Sequence, residues 1–330
     1  MVATRLRPAM AALAFALAFL CAAAAASAEE SFPNRPIKML VGFSAGGGTD
    51  VAARIVAQQM GALLGQTIVV ENRPGASGLL AIQDLAKSDP DGYTLMMGSQ
   101  TTCAVAPALY RKVAVDPAKD FSGVALTSAS PLVLVVNPAS PAHSVKDVIA
   151  MAKAEPSKMI FGTGGVGTTP HMAAEMFQHE AGIKLVHVAY RGEAGAINDL
   201  IAGQIPLMFA NLSAVMGNVK AGTLRALAVT SAKRSPSVPD IPTVAESALP
   251  GFAVETWWGI LAPPGTPLEI RRKLSDAARQ SVDRADTKER YAQLGMTTLT
   301  SSPEELDAYI RSEVATWARV IKDAGVQPLD

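Results

Sequence analysis

The residue types that build metal sites and disulfides are scarce in this sequence. Only two of its 330 residues are cysteine, at 21 and 103, and four are histidine, at 143, 171, 179 and 187. Position 21 lies in an N-terminal leader, so Cys103 alone cannot form an intrachain disulfide, and we expect it to be a buried structural thiol. No pair of histidines has the spacing of a zinc site, so we expect no metal.

Enzyme motifs and an excess of charge are also missing. There is no G-x-S-x-G nucleophile elbow, and the glycine-rich loops carry no paired carboxylates. The chain has 29 Lys and Arg against 29 Asp and Glu, so nothing in its charge points to nucleic acid. This inventory favours a binding protein over an enzyme. We expect no cofactor, no nucleic-acid partner and a monomeric chain.

The N-terminus has the pattern of an export signal. Arg5 and Arg7 precede the alanine-rich apolar stretch Ala9–Ala26, and Ala26-Ser27-Ala28 has the small-x-small form of a cleavage site. Such a segment is a secretory signal peptide rather than part of the fold. We therefore predict cleavage after Ala28 and a periplasmic mature protein.

One stretch near the mature N-terminus predicts an anion site. The apolar run Ile37–Phe43 is followed by Ser44-Ala45-Gly46-Gly47-Gly48 and then by Thr49-Asp50 and small residues, which indicates a strand, a tight loop and a helix start. Consecutive glycines let backbone N–H groups converge on one point, and the helix N-terminus adds partial positive charge. Asp50 either caps the first helical turn or contacts a cationic or hydroxylated part of a ligand.

A second loop of the same kind follows about 115 residues later. Gly162–Thr168 lies between a predicted strand and a helix for which Thr169 is the predicted N-cap and Pro170 the first residue. The glycines at 162, 164 and 167 also match the G-x-G-x-x-G dinucleotide fingerprint. An exported protein has no ready supply of NAD, and the next strand ends in Tyr190-Arg191 instead of an acidic residue, so we favour anion binding.

Two further positions complete the reading of the candidate cleft from the residues themselves. The segment Ser99–Thr102 follows the predicted strand Tyr93–Gly98 directly, and ligands of open parallel sheets bind beyond the carboxyl ends of strands. Its residues either contact the ligand or cap a helix. Neither glycine loop contains Arg or Lys, so Arg191 is the best charged candidate, with a structural role as the alternative.

The order of strands and helices predicts an α/β protein of two domains. Short strands that alternate with helices imply mainly parallel sheets. The run Pro131–Asn137 marks a crossing into a second domain, and four prolines between 236 and 250 mark the way back. We therefore predict lobe 1 from residues 29–131 and 251–330, lobe 2 from residues 132–250, and a hinge at the two crossings. The last helix carries an apolar stripe that we interpret as core: Leu306, Tyr309, Ile310, Val314, Trp317 and Ile321.

An ordered set of motifs resembles one family. The runs GFSAGGGTDVAAR, ENRPGASG, DPDGYTL, FGTGGVGTTPH with VAYRG, and WWGILAPPGTP resemble the Bug-type substrate-binding proteins of tripartite tricarboxylate transporters. The resemblance implies a type II periplasmic-binding-protein fold, in which two α/β lobes with mainly parallel sheets close on a small organic anion, often a carboxylate. It also implies delivery to a membrane permease.

The resemblance assigns the residues that line the cleft. With the two glycine loops, it makes the candidate ligand-binding residues Phe43, Ser44, Ala45, Gly46, Gly47, Thr49, Asp50, Ser99, Gln100, Thr101, Thr163, Gly164, Gly167, Thr168, Thr169, Tyr190, Arg191, Gly192 and Asn211. We predict an exported receptor for a small carboxylate. The alternatives are a secreted enzyme, either a hydrolase or an oxidoreductase, and a receptor that signals through a sensor kinase.

Overall fold

The computed structural model describes residues 32–110, 116 and 119–328. The predicted signal peptide and its cleavage site lie outside the described residues. The account below concerns the chain from Arg35 onward, which forms one compact unit.

The strands follow the apolar runs of the sequence. In chain order they are β1 (Ile37–Val41), β2 (Ile68–Asn72), β3 (Thr94–Ser99), β4 (Ser122–Val136), β5 (Ile160–Thr163), β6 (Val186–Ala189), β7 (Leu207–Asn211), β8 (Arg225–Val229), β9 (Glu255–Ala262) and β10 (Thr297–Thr298). The predicted strand Pro131–Asn137 is only the second half of β4, because the run continues backward through Ser122–Ser130 without a β-branched pattern to reveal it.

Helices cover the sheet and are set by caps that the sequence shows. They are α1 (Gly48–Leu64), α2 (Leu79–Ala86), α3 (Ala106–Leu109), α4 (Val145–Ala154), α5 (Thr169–Ala181), α6 (Glu193–Ile201), α7 (Leu212–Lys220), α8 (Val244–Ser247), α9 (Leu268–Asp283), α10 (Ala285–Gln293) and α11 (Pro303–Asp323). The predicted capping box is present at α11, where Ser302 and Glu305 bond reciprocally. Among the described residues, no helix is both long and apolar enough to span a membrane.

The strands form one continuous path in the order β2-β1-β3-β9-β4-β7-β5-β6, with β8 and β10 paired to β4. β1 pairs parallel with β2 and β3, and β5 pairs parallel with β6 and β7. The prediction of mainly parallel sheets holds for these helix-linked strands. β4, β8, β9 and β10 pair antiparallel, because they are the strands that run between the two halves of the sheet and return.

The long strand β4 divides the structure into two lobes. Its first half pairs with β9 and its second half with β7 and β8. We call the part built on β1, β2, β3, β9 and the first half of β4 the first lobe, and the part built on β5 to β8 and the second half of β4 the second lobe. The carboxyl ends of β1 and β3 are followed by the first glycine loop and Ser99–Thr102, and the carboxyl end of β5 is followed by the second glycine loop.

The last helix contributes to the cores of both lobes. Leu306 and Ile310 pack in the first-lobe cluster with Met96 of β3, whereas Trp317 and Ile321 pack in the second-lobe cluster. All four of these α11 side chains are at most 5% exposed. The interpretation of the apolar stripe as core is confirmed for them, and α11 links the lobes on the face where the chain crosses between them.

Thr230 ties the two crossing segments together. Its Oγ1 accepts a hydrogen bond from Leu132 N of β4 at 2.9 Å and donates to Val254 O, just before β9, at 2.5 Å. Its backbone N–H donates to Leu132 O, and its C=O accepts from Val254 N, both at 2.9 Å. The side chain is fully buried, so water cannot replace its bonds.

We expect Thr230→Val to destabilise the protein by about 1–3 kcal/mol, because an isosteric side chain without the hydroxyl leaves a buried N–H and a buried C=O unpaired. Urea denaturation followed by circular dichroism measures this. Thr297→Val is the matched control, since the Thr297 side chain is exposed and its replacement should change stability by less than about 0.5 kcal/mol. Equal stabilities for the two variants would contradict the role assigned to Thr230.

Candidate functional site

The first glycine loop connects β1 to the start of α1. Gly47 is the N-cap residue, and Gly46 has a φ of +86°, which favours glycine. A Cβ atom on Gly48 would lie 2.9 Å from Asn211 Cβ of the second lobe and 3.0 Å from the Trp258 ring. Only glycine at this position lets the two lobes approach so closely.

Asp50 braces this loop from the first turn of α1. Its Oδ2 accepts hydrogen bonds from Gly46 N at 3.0 Å and Arg54 Nε at 2.9 Å, and its Oδ1 accepts from Asn72 Nδ2 at 2.9 Å. Burial raises the pKa of Asp50, but the hydrogen bonds from Arg54, Gly46 and Asn72 outweigh burial and hold it below its ordinary value. Its three printed partners all belong to the first lobe, which favours the loop-shaping alternative.

The second glycine loop connects β5 to α5. The N-cap of α5 is Thr168, whose Oγ1 accepts from His171 N at 3.4 Å. The prediction that Thr169 caps this helix is therefore wrong by one residue, because the extended backbone conformation that a cap requires falls at Thr168. Gly167, with a φ of +74°, makes the turn before the cap.

Two stacked histidines support this loop from below. The rings of His171 and His187 lie 4.1 Å apart between centroids, and Gly167 N donates to His171 Nδ1 at 3.1 Å. His187 Nε2 lies 2.7 Å from Thr163 Oγ1. Burial and the neighbouring His171 lower the pKa of His187 to about 4, so this imidazole is neutral at physiological pH.

The two lobes touch through direct hydrogen bonds at their loops. Ser44 Oγ donates to Arg191 O at 2.5 Å. Thr169 N, in the first turn of α5, donates to Thr101 Oγ1 at 2.9 Å. A third contact joins Gly48 N, in the first turn of α1, to Glu193 Oε2 at 3.1 Å. In this closed arrangement, the N-terminus of each loop helix receives an oxygen atom from the opposite lobe.

Glu193 is the acidic residue in this interface. It begins α6 in the second lobe and is 9% exposed. Besides the bond from Gly48, Oε1 accepts from Asn211 N at 2.7 Å and Oε2 from Asn211 Nδ2 at 2.8 Å. Burial raises the pKa of this carboxyl group, while the N–H donors of Asn211 and Gly48 act to lower it.

The loops and helix starts of both lobes enclose one cavity of about 390 Å³ of empty space. Its wall combines backbone from the glycine loops with hydroxyl, amide and carboxylate side chains. The lining residues are Phe43, Gly47, Gly48, Thr49, Ser99, Thr101, Gly164, Thr168, Pro170, Glu193, Asn211 and Thr256. A cavity of this size between two lobes is typical of a small-molecule site.

Eight of the residues that the sequence nominates thus meet at this cavity, whereas others lie beside it. Phe43, Gly164, Tyr190 and Arg191 line a second, more open hollow of about 980 Å³ of empty space. Gln100 Nε2 instead donates to Glu313 of α11 at 2.9 Å. The remaining nominated residues shape the loops without lining the enclosed cavity: Ser44, Ala45, Gly46, Asp50, Thr163, Gly167, Thr169 and Gly192.

Four lining residues escaped the sequence analysis: Gly48, Pro170, Glu193 and Thr256. Gly48 and Pro170 adjoin nominated residues, so a wider window would have included them. Glu193 directly follows Gly192, but an acidic residue in the first turn of a helix is ordinary and carried no signal of its own. Thr256 lies on β9, far along the chain from both glycine loops.

The remaining candidate chemistry of the sequence lies outside this cavity. Burial raises the pKa of Cys103 to about 12, and its side chain is fully buried, which confirms the prediction of an inert structural thiol. Among the described residues, no group of three or more His, Cys, Asp or Glu side chains could hold a metal ion.

Comparison with known proteins agrees with this geometry. Residues 52–326 match the model of the tripartite tricarboxylate transporter family receptor. The chain belongs to this receptor family. It is 34% identical to protein BugT of Bordetella pertussis over 92% of this chain and 94% of BugT. Family members of this kind are solute-binding receptors, and the structure has the two-lobed periplasmic-binding-protein fold that the sequence predicted.

Two solved structures of R. palustris proteins resemble the family fold seen here. One, determined with adipate, has a TM-score of 0.88 and 34% identity and covers 90% of this chain and all of that chain. The other, MatC from Rhodopseudomonas palustris with bound malate, has a TM-score of 0.84 and 31% identity and covers 88% of this chain and all of that chain. The fold class inferred from the sequence is therefore confirmed.

We expect Asp50→Asn to destabilise the protein at pH 7 by about 2–4 kcal/mol, because an amide nitrogen would face N–H donors where a buried carboxylate now accepts them. Since the pKa of Asp50 lies below its ordinary value of 3.8, its contribution is complete above that value and is lost as the pH falls through the lowered pKa. Denaturant titrations at pH 7 and at about pH 3 should therefore show a smaller difference between wild type and variant at the lower pH.

Asp276→Asn provides the control for this substitution. Its side chain is 63% exposed and pairs with Arg279 at 3.1 Å on the surface of α9, where such pairs contribute less than about 1 kcal/mol. An Asp50→Asn protein no less stable than this control would mean that the loop holds its shape without the carboxylate.

Proposed function

We propose that this chain is an exported receptor that captures a small carboxylate-bearing metabolite between its lobes and delivers it to a tripartite tricarboxylate-type permease. The observation that carries the proposal is the enclosed cavity, which is lined by both glycine loops and by the residues that start α1 and cap α5. Backbone N–H groups and the partial positive charge of helix N-termini favour bound anions.

The ligand class draws support from relatives with the same fold. One solved structure holds adipate and another holds malate, and both molecules are dicarboxylates. In the present chain, Thr49 Oγ1 accepts from Trp258 Nε1 at 3.0 Å, which leaves its own proton available to a ligand oxygen. The hydroxyls of Ser99 and Thr101 also line the cavity.

The lobes serve this function by moving relative to each other. We propose that residues 29–131 with 251–330 form lobe 1 and residues 132–250 form lobe 2, with the hinge near Thr230 where both crossing segments meet. Opening would separate the bond pairs Ser44–Arg191, Thr101–Thr169 and Gly48–Glu193, and so admit ligand. The nominated residues that line the cavity are the proposed ligand contacts.

Location and partner follow from the family. A related solved structure, 35% identical with a TM-score of 0.87, is described as a periplasmic transporter, and we propose that this chain also acts in the periplasm. As a receptor it should release its ligand unchanged. Chromatography of the ligand recovered from denatured protein tests this, because any conversion product would instead favour an enzyme.

Gly47→Leu should abolish ligand binding without unfolding the protein. A Cβ atom at Gly47 would lie 3.5 Å from Glu193 Oε2 and 3.7 Å from Glu193 Cβ, so a longer side chain fills the cavity. In the wild type, a carboxylate at a hundredfold excess over its Kd should stabilise the fold by about 2.7 kcal/mol. A thermal-shift screen over dicarboxylates, tricarboxylates, aromatic acids and amino acids measures this as a rise of several degrees in Tm.

Gly217→Leu is the matched control for that screen. Gly217 is exposed on α7, and a Cβ atom there meets nothing within 4 Å, so ligand-induced stabilisation should persist. A ligand shift retained in the Gly47→Leu protein would contradict the proposed site, and the absence of any shift in the wild type would contradict the proposed ligand class.

A further inference from the structure

The cavity already contains one carboxylate that belongs to the protein. Glu193 lines the cavity from the second lobe, and its Oε2 accepts from Gly48 N in the first turn of α1 at 3.1 Å. This backbone N–H lies at the helix N-terminus that the sequence marks as an anion site. In the closed structure, that helix end is therefore occupied by a side-chain anion of the opposite lobe.

The bonding pattern fits an ionised carboxylate. Three N–H donors, from Gly48 N, Asn211 N and Asn211 Nδ2, point at its two oxygens over 2.7–3.1 Å, whereas a protonated acid would need an acceptor for its own proton. The N-terminus of α1 adds partial positive charge on the same side. Burial opposes ionisation by raising the pKa of Glu193, but hydrogen bonds to charged acceptors are the strong ones.

A second acceptor lies beside this carboxylate. Asn211 is 7% exposed and lines the cavity. Its Nδ2 is used by Glu193, and among the described residues its buried Oδ1 has no hydrogen-bond partner. An unpaired buried carbonyl costs free energy unless something donates to it. This end of the cavity consequently presents hydrogen-bond acceptors, namely the Glu193 carboxylate and the Asn211 carbonyl.

The opposite end of the cavity has a different character. It is formed by the Thr101 hydroxyl, the Gly164 backbone and Thr168 at the start of α5. No acidic side chain other than Glu193 is among the residues that line the cavity. The ligand's carboxylate is therefore best accommodated near α5, because near Glu193 two like charges would share a buried space.

We propose that Glu193 sets the ligand class: the receptor selects a monocarboxylate that carries a hydrogen-bond donor, best an ammonium group, at the end that faces Glu193 and Asn211. An ammonium pairs the buried charge and donates to both acceptors, whereas a second carboxylate would be repelled. The inference rests on the proposed function, since it concerns the same cavity. It separates this chain from relatives whose structures hold dicarboxylates.

Isothermal titration calorimetry with ligands of equal length tests the inference on the full mature protein. Each set contains a dicarboxylate, an ω-hydroxy acid and an ω-amino acid: succinate, 4-hydroxybutanoate and 4-aminobutanoate, then adipate, 6-hydroxyhexanoate and 6-aminohexanoate. The wild type should bind the amino member of at least one set at least tenfold more tightly than the dicarboxylate of that set, with the hydroxy member between them.

Two substitutions at Glu193 should reverse or remove this preference. Glu193→Ala frees the Gly48 N–H at the helix start for a ligand carboxylate, so the dicarboxylate should gain at least tenfold in affinity and the amino acid should lose as much. Glu193→Gln keeps the volume and removes the charge, so it should abolish the preference of ammonium over hydroxyl. Circular dichroism checks that each variant is folded, and the second decides the matter if the first does not fold.

Glu289→Gln is the control for charge alone. Glu289 is exposed on α10 and accepts only a surface bond from Gln293 Nε2 at 3.3 Å, so its replacement should leave the ligand preference of the wild type unchanged. An equal response of both glutamines to substitution would overturn the inference, because net charge rather than the cavity would then set specificity.

The outcomes separate the inference from the proposed function. If the wild type binds dicarboxylates at least as tightly as amino acids and Glu193→Ala changes nothing, the inference is wrong while the receptor function stands. If no carboxylate in either set or in the wider thermal-shift screen binds the wild type or the variants, the proposed function fails and the inference fails with it.

Discussion

The closed arrangement of the lobes depends on one buried carboxylate. Glu193 extends from the second lobe to Gly48 in the first turn of α1 and is held by the backbone and side chain of Asn211. A charge so buried is tolerable only when donors surround it, and here the donors come from both lobes. The relative position of the lobes at the cavity is therefore fixed by the need to satisfy this group, with Ser44–Arg191 and Thr101–Thr169 as neutral contacts beside it.

The fold and the two loops could be predicted because their signals are local. Glycine runs, β-branched strands and the cap before α11 report on neighbouring residues, and the structure shows a strand, loop and helix at both predicted glycine loops. The first half of β4 was missed since Ser122–Ser130 is rich in small and hydroxyl residues, and its strand conformation is imposed by pairing with β9. The cap of α5 was misplaced by one residue, which is the usual precision of helix ends.

The residue that dominates the cavity could not be predicted, because its role is not local. Glu193 and Gly48 lie 145 positions apart in the chain, and they meet only after both lobes fold and close. In the sequence, Glu193 is an acidic residue in the first turn of a helix, which the helix dipole alone explains. Asp50 offers the reverse case: its acidic character next to the anion loop looked like a possible ligand contact, but its hydrogen bonds to Gly46, Arg54 and Asn72 serve the loop itself.

The contacts on the two sides of the cavity have different strengths, and this difference indicates how the protein can open. On the side where the chain crosses, Thr230 joins both crossing segments, and α11 places Leu306 and Ile310 in one core and Trp317 and Ile321 in the other. Those apolar contacts are lost only at a cost of several kcal/mol. On the loop side the lobes meet through a few hydrogen bonds, which water can replace at small net cost once the cavity is open. Separation should therefore begin at the glycine loops and pivot about the crossing strands, so that the helix N-termini and Glu193 reach solvent together, and a ligand can meet its carboxylate site and its donor-seeking site in the same opening.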